Sequence, residues 1–321
     1  MKKISLSFLL KIAVSLTLIL ILLYIMRDKY AQIWSVLKGT DMVMFSFGVL
    51  VFIAALATAS LRLKLIVQVE EGFRITFLNV LSLTFIGYFF NNFLPTAIGG
   101  DVVKAYYLSK RTSNKMASYT AVFIDRAMGL VTMVFMAVCA LLLAGGRVID
   151  NSAQRMIYAI AIGSLFLIIF IMNKNFAKKF SFLLHLVKPI RPKLEKIYNT
   201  IHEFKKHRAL MLQSLLISIA SQLIYFASIG IAAMSIGLNI PVMSILLRMP
   251  IVSAVSLLPS INGIGVREGS TVLLFGSIVG KGNAFALSIL LFAVLMLTSI
   301  LGGIIYGLSP QFRMGGKEPE E

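Results

Sequence analysis

The chain has 321 residues, of which 58% are hydrophobic and only 14% charged, with a mean hydropathy of +0.90. Soluble domains sit near half apolar and a quarter charged, so this composition excludes an ordinary water-soluble domain and fits one polytopic membrane unit. The formal net charge of +18 would suit a nucleic-acid binder, but its largest cluster gathers in one loop between apolar runs, a placement that argues against that partner.

The first predicted element is the apolar run Leu6–Met26, behind Met1-Lys2-Lys3. A secretory signal would end at a small-residue cleavage site. Here Tyr24-Ile25-Met26-Arg27-Asp28 closes the run, so it reads as a transmembrane helix with Lys11 snorkelling or facing protein. Further apolar runs fall at about 42–61 and 75–94. The latter ends in Asn91-Asn92-Phe93-Leu94-Pro95-Thr96-Ala97-Ile98-Gly99-Gly100-Asp101. Proline removes a helical hydrogen bond and glycine lets the chain reverse, so the helix is interrupted there. The return arm, 101–109, is too short to cross a bilayer on its own.

The run at 117–144 carries Asp125-Arg126 about nine residues in, roughly 14 Å deep and near the bilayer centre. Charge at that depth is costly and marks a functional candidate. Adjacent helical residues point about 100° apart, so each of the pair is expected to reach its own partner. The candidates are Asp101, Lys104, Arg267 and Glu268. The lone Cys139 in this run reads as a small packing residue.

After the run at 156–172 comes one long polar segment, 173–209. Between Lys174 and Arg208 lie ten of the 31 Lys and Arg residues, against two carboxylates, Glu195 and Glu203. Such a cluster marks a cytoplasmic loop that attracts anionic lipid headgroups. His185, His202 and His207 all lie here, at spacings that match no metal site.

The run at 210–236 precedes 242–258, which holds the odd charge Arg248 two residues before Pro250. A second interruption follows, Leu257-Leu258-Pro259-Ser260-Ile261-Asn262-Gly263-Ile264-Gly265-Val266-Arg267-Glu268. It repeats the first: Leu-Pro, a glycine four residues after the proline, another glycine, then a carboxylate. Runs at 269–279 and 284–308 complete the series, and the tail from Gly315 reads as disordered.

If every run spans, Lys104, Lys110, Arg111 and Lys115 fall on the disfavoured side. Re-entrant hairpins at 75–109 and 242–279 remove the conflict. The expected fold is therefore an all-α polytopic membrane protein with about six full transmembrane helices and two re-entrant broken-helix hairpins in inverted pseudo-repeats. Its halves are 1–172 and 210–310, in an inner or plasma membrane with both termini cytoplasmic. Eight full spans without hairpins is the competing topology.

A matching pair of interruptions in two halves is a pointer to a transporter's binding site. The expected substrate-binding set is Asn91, Asn92, Asp101, Lys104, Asp125, Arg126, Arg248, Asn262, Arg267 and Glu268. Pro95, Gly99, Gly100, Pro259, Gly263 and Gly265 are expected to shape the hairpin tips. Arginine forks and the N–H groups at a half-helix start suit a phosphate, held by Arg126 and Arg267. Asp101, Asp125 or Glu268 would then meet a cationic or hydroxylated headgroup. The competing expectation for any one of these charges is a structural ion pair. No catalytic residue, metal or cofactor is assigned: Gly263-x-Gly265 follows no strand, and no Walker motif encodes an ATP drive.

The motif from Asn91 through Asp101, the Asp125-Arg126 pair and the motif from Leu258 through Gly269 together resemble the flippase-like membrane family. That family includes the membrane region of the multiple peptide resistance factor, the lysylphosphatidylglycerol synthase/flippase. The resemblance covers about residues 5 to 310. It implies a lipid-flippase fold, movement of aminoacylated phosphatidylglycerol between leaflets and a link to antibiotic resistance. Full-length resistance factors add a soluble aminoacyl-tRNA-dependent synthetase domain, absent from these 321 residues. The expected function is thus a carrier of a phospholipid or lipid-linked glycan intermediate. The alternatives are a membrane-embedded transferase and a non-catalytic partner of a cell-envelope synthase. Expected partners are membrane lipids, with anionic headgroups at 173–209, and a second copy of the chain as a homodimer.

Overall fold

The computed structural model describes residues 6–68, 75–93, 99–110, 115–144, 151–172, 208–256, 263–309 and 312. Pro95, Pro259 and Asn262, the basic segment through residue 207 and the tail lie outside the described residues. The described secondary structure is helical. In chain order the α-helices are α1 (Leu6–Met26), α2 (Tyr30–Lys38), α3 (Met42–Val67), α4 (Phe77–Phe93), α5 (Gly99–Ser109), α6 (Lys115–Leu143) and α7 (Asn151–Met172). Then follow α8 (Arg208–Met234), α9 (Val242–Val255), α10 (Val266–Val279) and α11 (Lys281–Leu308).

Among the described residues four helices are long and apolar enough to cross a membrane: α3, α6, α8 from Ala209, and α11. The flanking α1 and α7 run 21 and 22 residues. Large apolar side chains lie exposed around the bundle, among them Leu20, Leu50, Leu142, Leu273 and Ile304, as a lipid-facing surface requires. This is an all-α, multi-pass membrane protein.

Four further helices are short and form two pairs. The arms α4 and α5 have 17 and 11 residues, and α9 and α10 have 14 each. At 1.5 Å per residue the longest reaches only about 25 Å, short of a ~30 Å hydrocarbon core. Antiparallel pairing of α4 with α5 puts Asn91 against Gly100 and Gly87 against Lys104. In the second pair Arg248 meets Leu274 and Ser256 meets Gly263.

Helices α3 and α8 set the two ends of the bundle. They run antiparallel, with the Asp41 N–H donating to Ser235 O at 2.8 Å near one end and Arg62 Nη1 donating to Ser218 Oγ at 2.7 Å toward the other. The base of the α4–α5 hairpin (Val80, Leu83, Leu108) packs with Leu63, Ile66 and Val67 at the α3 C-terminal end. The base of the α9–α10 hairpin follows Ile236 and Ile240, which pack with Leu22 and Ile33 at the opposite end. The hairpins therefore enter from opposite ends, and each base sits in its own apolar core.

Lipid tails are as apolar as leucine, so helices in a membrane are held by close packing and polar contacts. Gly48 brings α3 against α8, where an added Cβ would stand 3.3 Å from Ile231 Cγ2. Ser221 Oγ donates to Ala55 O at 3.0 Å, and Ser60 Oγ donates to Thr84 Oγ1 at 2.8 Å. At Gly302 a Cβ would overlap the Phe85 carbonyl oxygen, so α11 lies directly on α4.

Two differences from the expectation stand out. The run expected at 42–61 continues to Val67, which takes Arg62 inside the helix. The short α2 is not among the predicted elements, because nine residues mixing Gln32, Ser35 and Lys38 with apolar neighbours give no spanning signal. Gln32 docks α2 on α11 through Asn283 Oδ1 at 3.2 Å.

Candidate functional site

The arms of the two hairpins share one cavity of about 370 Å³. From the first hairpin Gly87, Tyr88, Asn91, Asn92, Asp101 and Lys104 line it, and from the second Met249, Val252, Ser253, Ser256 and Arg267. Helix α3 contributes Arg62, α6 contributes Asp125, Arg126 and Gly129, and α8 contributes Gln222 and Tyr225. The cavity lies between the two apolar cores: Leu63 belongs to one, and Met133, Met249 and Val252 to the other.

Asp101 stands in the first turn of α5, where the helix dipole favours a carboxylate. Its Oδ1 is 2.8 Å from Lys104 Nζ, one turn along the same helix, and its Oδ2 accepts from Arg126 Nη1 on α6. Gly87 makes this possible: a Cβ there would stand 3.1 Å from Lys104 Cε, so the lysine stem crosses α4 on its bare backbone. As the 100° step between neighbours requires, Asp125 does not turn toward Arg126. Its Oδ1 accepts from Arg62 Nε at 2.7 Å, and Arg62 Nη1 continues to Ser218 Oγ. Gly129 lets the guanidinium lie flat on α6, at 3.4 Å from where a Cβ would be, and the Gly129 carbonyl accepts from Gln222 Nε2 at 3.3 Å.

At the second tip Gly263 and Gly265 take φ values of 77° and 84°, the left-handed region that a Cβ disfavours. Gly265 is the N-cap of α10, and Glu268 reaches back so that its Oε2 accepts from the Gly265 N–H at 2.6 Å. Its Oε1 takes Arg267 Nη2 at 3.1 Å, and the Arg267 guanidinium sits 5.7 Å over the Phe292 ring.

The first tip's glycines work differently. Gly100 is helical, and a Cβ on it would overlap the Gly87 carbonyl oxygen, so it serves close packing of the two arms rather than chain reversal. Gly99 is buried beside it at the start of α5. The Gly100 N–H donates to Asn91 Oδ1 at 2.7 Å. The amides of Gly100 and Gly265 are therefore capped by side chains and are not open to a phosphate.

Of the expected site residues, Asn91, Asn92, Asp101, Lys104, Asp125, Arg126 and Arg267 come together at the cavity. Glu268 stands behind the wall as the cap and counter-ion of Arg267. Arg248 is not at the wall: its Nε donates to Leu274 O at 2.8 Å and ties the two arms of the second hairpin. The cavity's fourth cation is Arg62, which the sequence reading missed because a run ending at residue 61 puts it at a membrane border, where basic residues are ordinary. The signal lay in the continuing apolar pattern Leu61-Arg62-Leu63 and Leu65-Ile66-Val67.

Exposure ranks these charges. The Arg126 side chain is 33% exposed, against 7% for Arg62 and 12% each for Lys104 and Arg267. Among the described residues the wall thus offers one partly exposed guanidinium, Arg126 in its pair with Asp101, beside more deeply buried ion pairs.

A family model described as the lysylphosphatidylglycerol synthase TM region matches residues 8–303. No curated protein matches the chain, and no solved structure does.

Proposed function

The chain belongs to the lysylphosphatidylglycerol synthase transmembrane-region family, and from that premise we propose that it is a membrane carrier moving a phospholipid or a lipid-linked glycan intermediate between leaflets. The supporting observation is the meeting of two broken-helix hairpins from opposite ends at one charged cavity. Irregular backbone at membrane depth is stable where it lines a cavity, and a central site flanked by inverted hairpins can open to each side in turn. In this reading Arg126 is the first contact for the headgroup phosphate, with Arg267 across the cavity at the other tip. Asn92 and Tyr88 offer polar edges to the rest of the headgroup. The protein sits in the cell membrane with its termini and basic loop cytoplasmic, where the loop attracts anionic lipid.

Reconstitution of the full chain in liposomes carrying headgroup-labelled lipids tests this. Leaflet exchange without chemical change is the expected result. A new lipid species formed from its donor would replace the carrier reading with a membrane transferase, and neither outcome would leave a non-catalytic partner of a synthase.

A further inference from the structure

We infer that the cavity selects a net-anionic phosphate headgroup and discriminates against one bearing ammonium groups, such as an aminoacylated lipid; this substrate class rests on the carrier reading. The argument is the state of the carboxylates. Both wall carboxylates and the one behind them already have partners. Asp101 is held by Lys104 and Arg126, Asp125 by Arg62, and Glu268 by Arg267 and the Gly265 N–H. A headgroup ammonium that approaches any of these carboxylates also meets the cation the carboxylate already holds, so its own charge is repelled within the same wall.

An anion meets the opposite situation. Among the described residues four cations line the wall (Arg62, Lys104, Arg126 and Arg267) against two carboxylates, Asp101 and Asp125. Counting Glu268 behind Arg267 still leaves the assembly one positive charge in excess. A phosphodiester carries the single negative charge that balances it. A lysyl ester of the same lipid adds two ammonium groups and reverses the sign. Arg126 is placed to make the contact: a guanidinium has five N–H donors in a fork that fits phosphate, and this one is the most open cation of the four. Asp101 keeps Lys104 at 2.8 Å, so engagement of Arg126 by a phosphate does not strand Asp101.

The test measures equilibrium binding to the full chain in a neutral detergent. The probes are dihexanoyl phosphatidylglycerol, its lysyl ester and glycerol 3-phosphate. The short-chain phosphatidylglycerol is expected to bind at least tenfold more tightly than its lysyl ester, and more tightly than glycerol 3-phosphate. Arg126→Gln should weaken that binding at least tenfold without lowering the melting temperature, and Arg126→Lys should restore part of it. Equal or tighter binding of the lysyl ester overturns the inference, as does an Arg126→Gln variant with unchanged affinity, or absence of binding by every probe. Equal binding of glycerol 3-phosphate reassigns the site to a soluble phosphate and overturns the lipid assignment. Anion-selective binding with no leaflet exchange in liposomes would sink the carrier reading alone.

Discussion

Arg62 Nε lies 2.7 Å from Asp125 Oδ1, and this buried pair joins α3 to α6 at the wall of the cavity. Through Nη1 the same guanidinium reaches Ser218 on α8, so one side chain ties three helices. The second pair, Arg126 with Asp101, ties α6 to the first hairpin and is the more open of the two. Neighbouring residues of α6 thus do different work: Asp125 holds the frame, and Arg126 faces the space within it.

Removing one partner of the inner pair should destabilise the fold. Arg62→Leu leaves the Asp125 carboxylate buried without its counter-ion, at a cost of about 3–5 kcal/mol. The double replacement Arg62→Leu with Asp125→Leu should recover much of that. Thermal unfolding in detergent reads both, and a single variant as stable as the parent would show that the pair is not structural.

Arg126→Ala should abolish leaflet exchange while the protein inserts and melts normally, because Asp101 retains Lys104. Exchange of labelled lipid, measured beside the melting curve, separates the two effects. A large loss of stability that returns on neutralising Asp101, with transport restored, would place Arg126 among the structural residues instead.

The glycines should divide by mechanism. Alanine at Gly100 or Gly302 would overlap the carbonyl oxygen of Gly87 or Phe85, so each should cost about 1–3 kcal/mol as overpacking does. At Gly263 and Gly265 the penalty comes from positive φ, about 1–2 kcal/mol per residue. Gly163 and Gly269 have nothing within 4 Å of an added Cβ, and alanine there should be tolerated. Melting temperatures of the six variants check the order, and a tolerant Gly100→Ala would contradict the close packing of the first hairpin.

Lys110 and Lys281 close opposite ends of the bundle, one after α5 and the other at the start of α11. Single-cysteine labelling in a Cys139→Ser background should find position 110 cytoplasmic and position 281 external. An impermeant reagent that reaches position 110 from outside intact cells would reverse the orientation.

The sequence by itself determined the membrane class, the apolar runs and the two interruptions, since each depends on local chemistry: hydropathy over a run, a missing N–H at proline, a missing Cβ at glycine. It also determined that Asp125 and Arg126 reach separate partners, because a helix turns about 100° per residue. Which partners they reach was decided by tertiary structure. Arg62 is 63 residues from Asp125 in the chain, and the antiparallel register of α3 and α8 brings it to the wall. The same distance from local sequence explains Arg248, whose pattern equals that of a site charge until the return of α10 supplies the Leu274 carbonyl. Gly87, Gly129 and Gly302 look like ordinary membrane-helix glycines in the sequence. Only the approach of a lysine stem, a guanidinium and another helix backbone gives each its purpose.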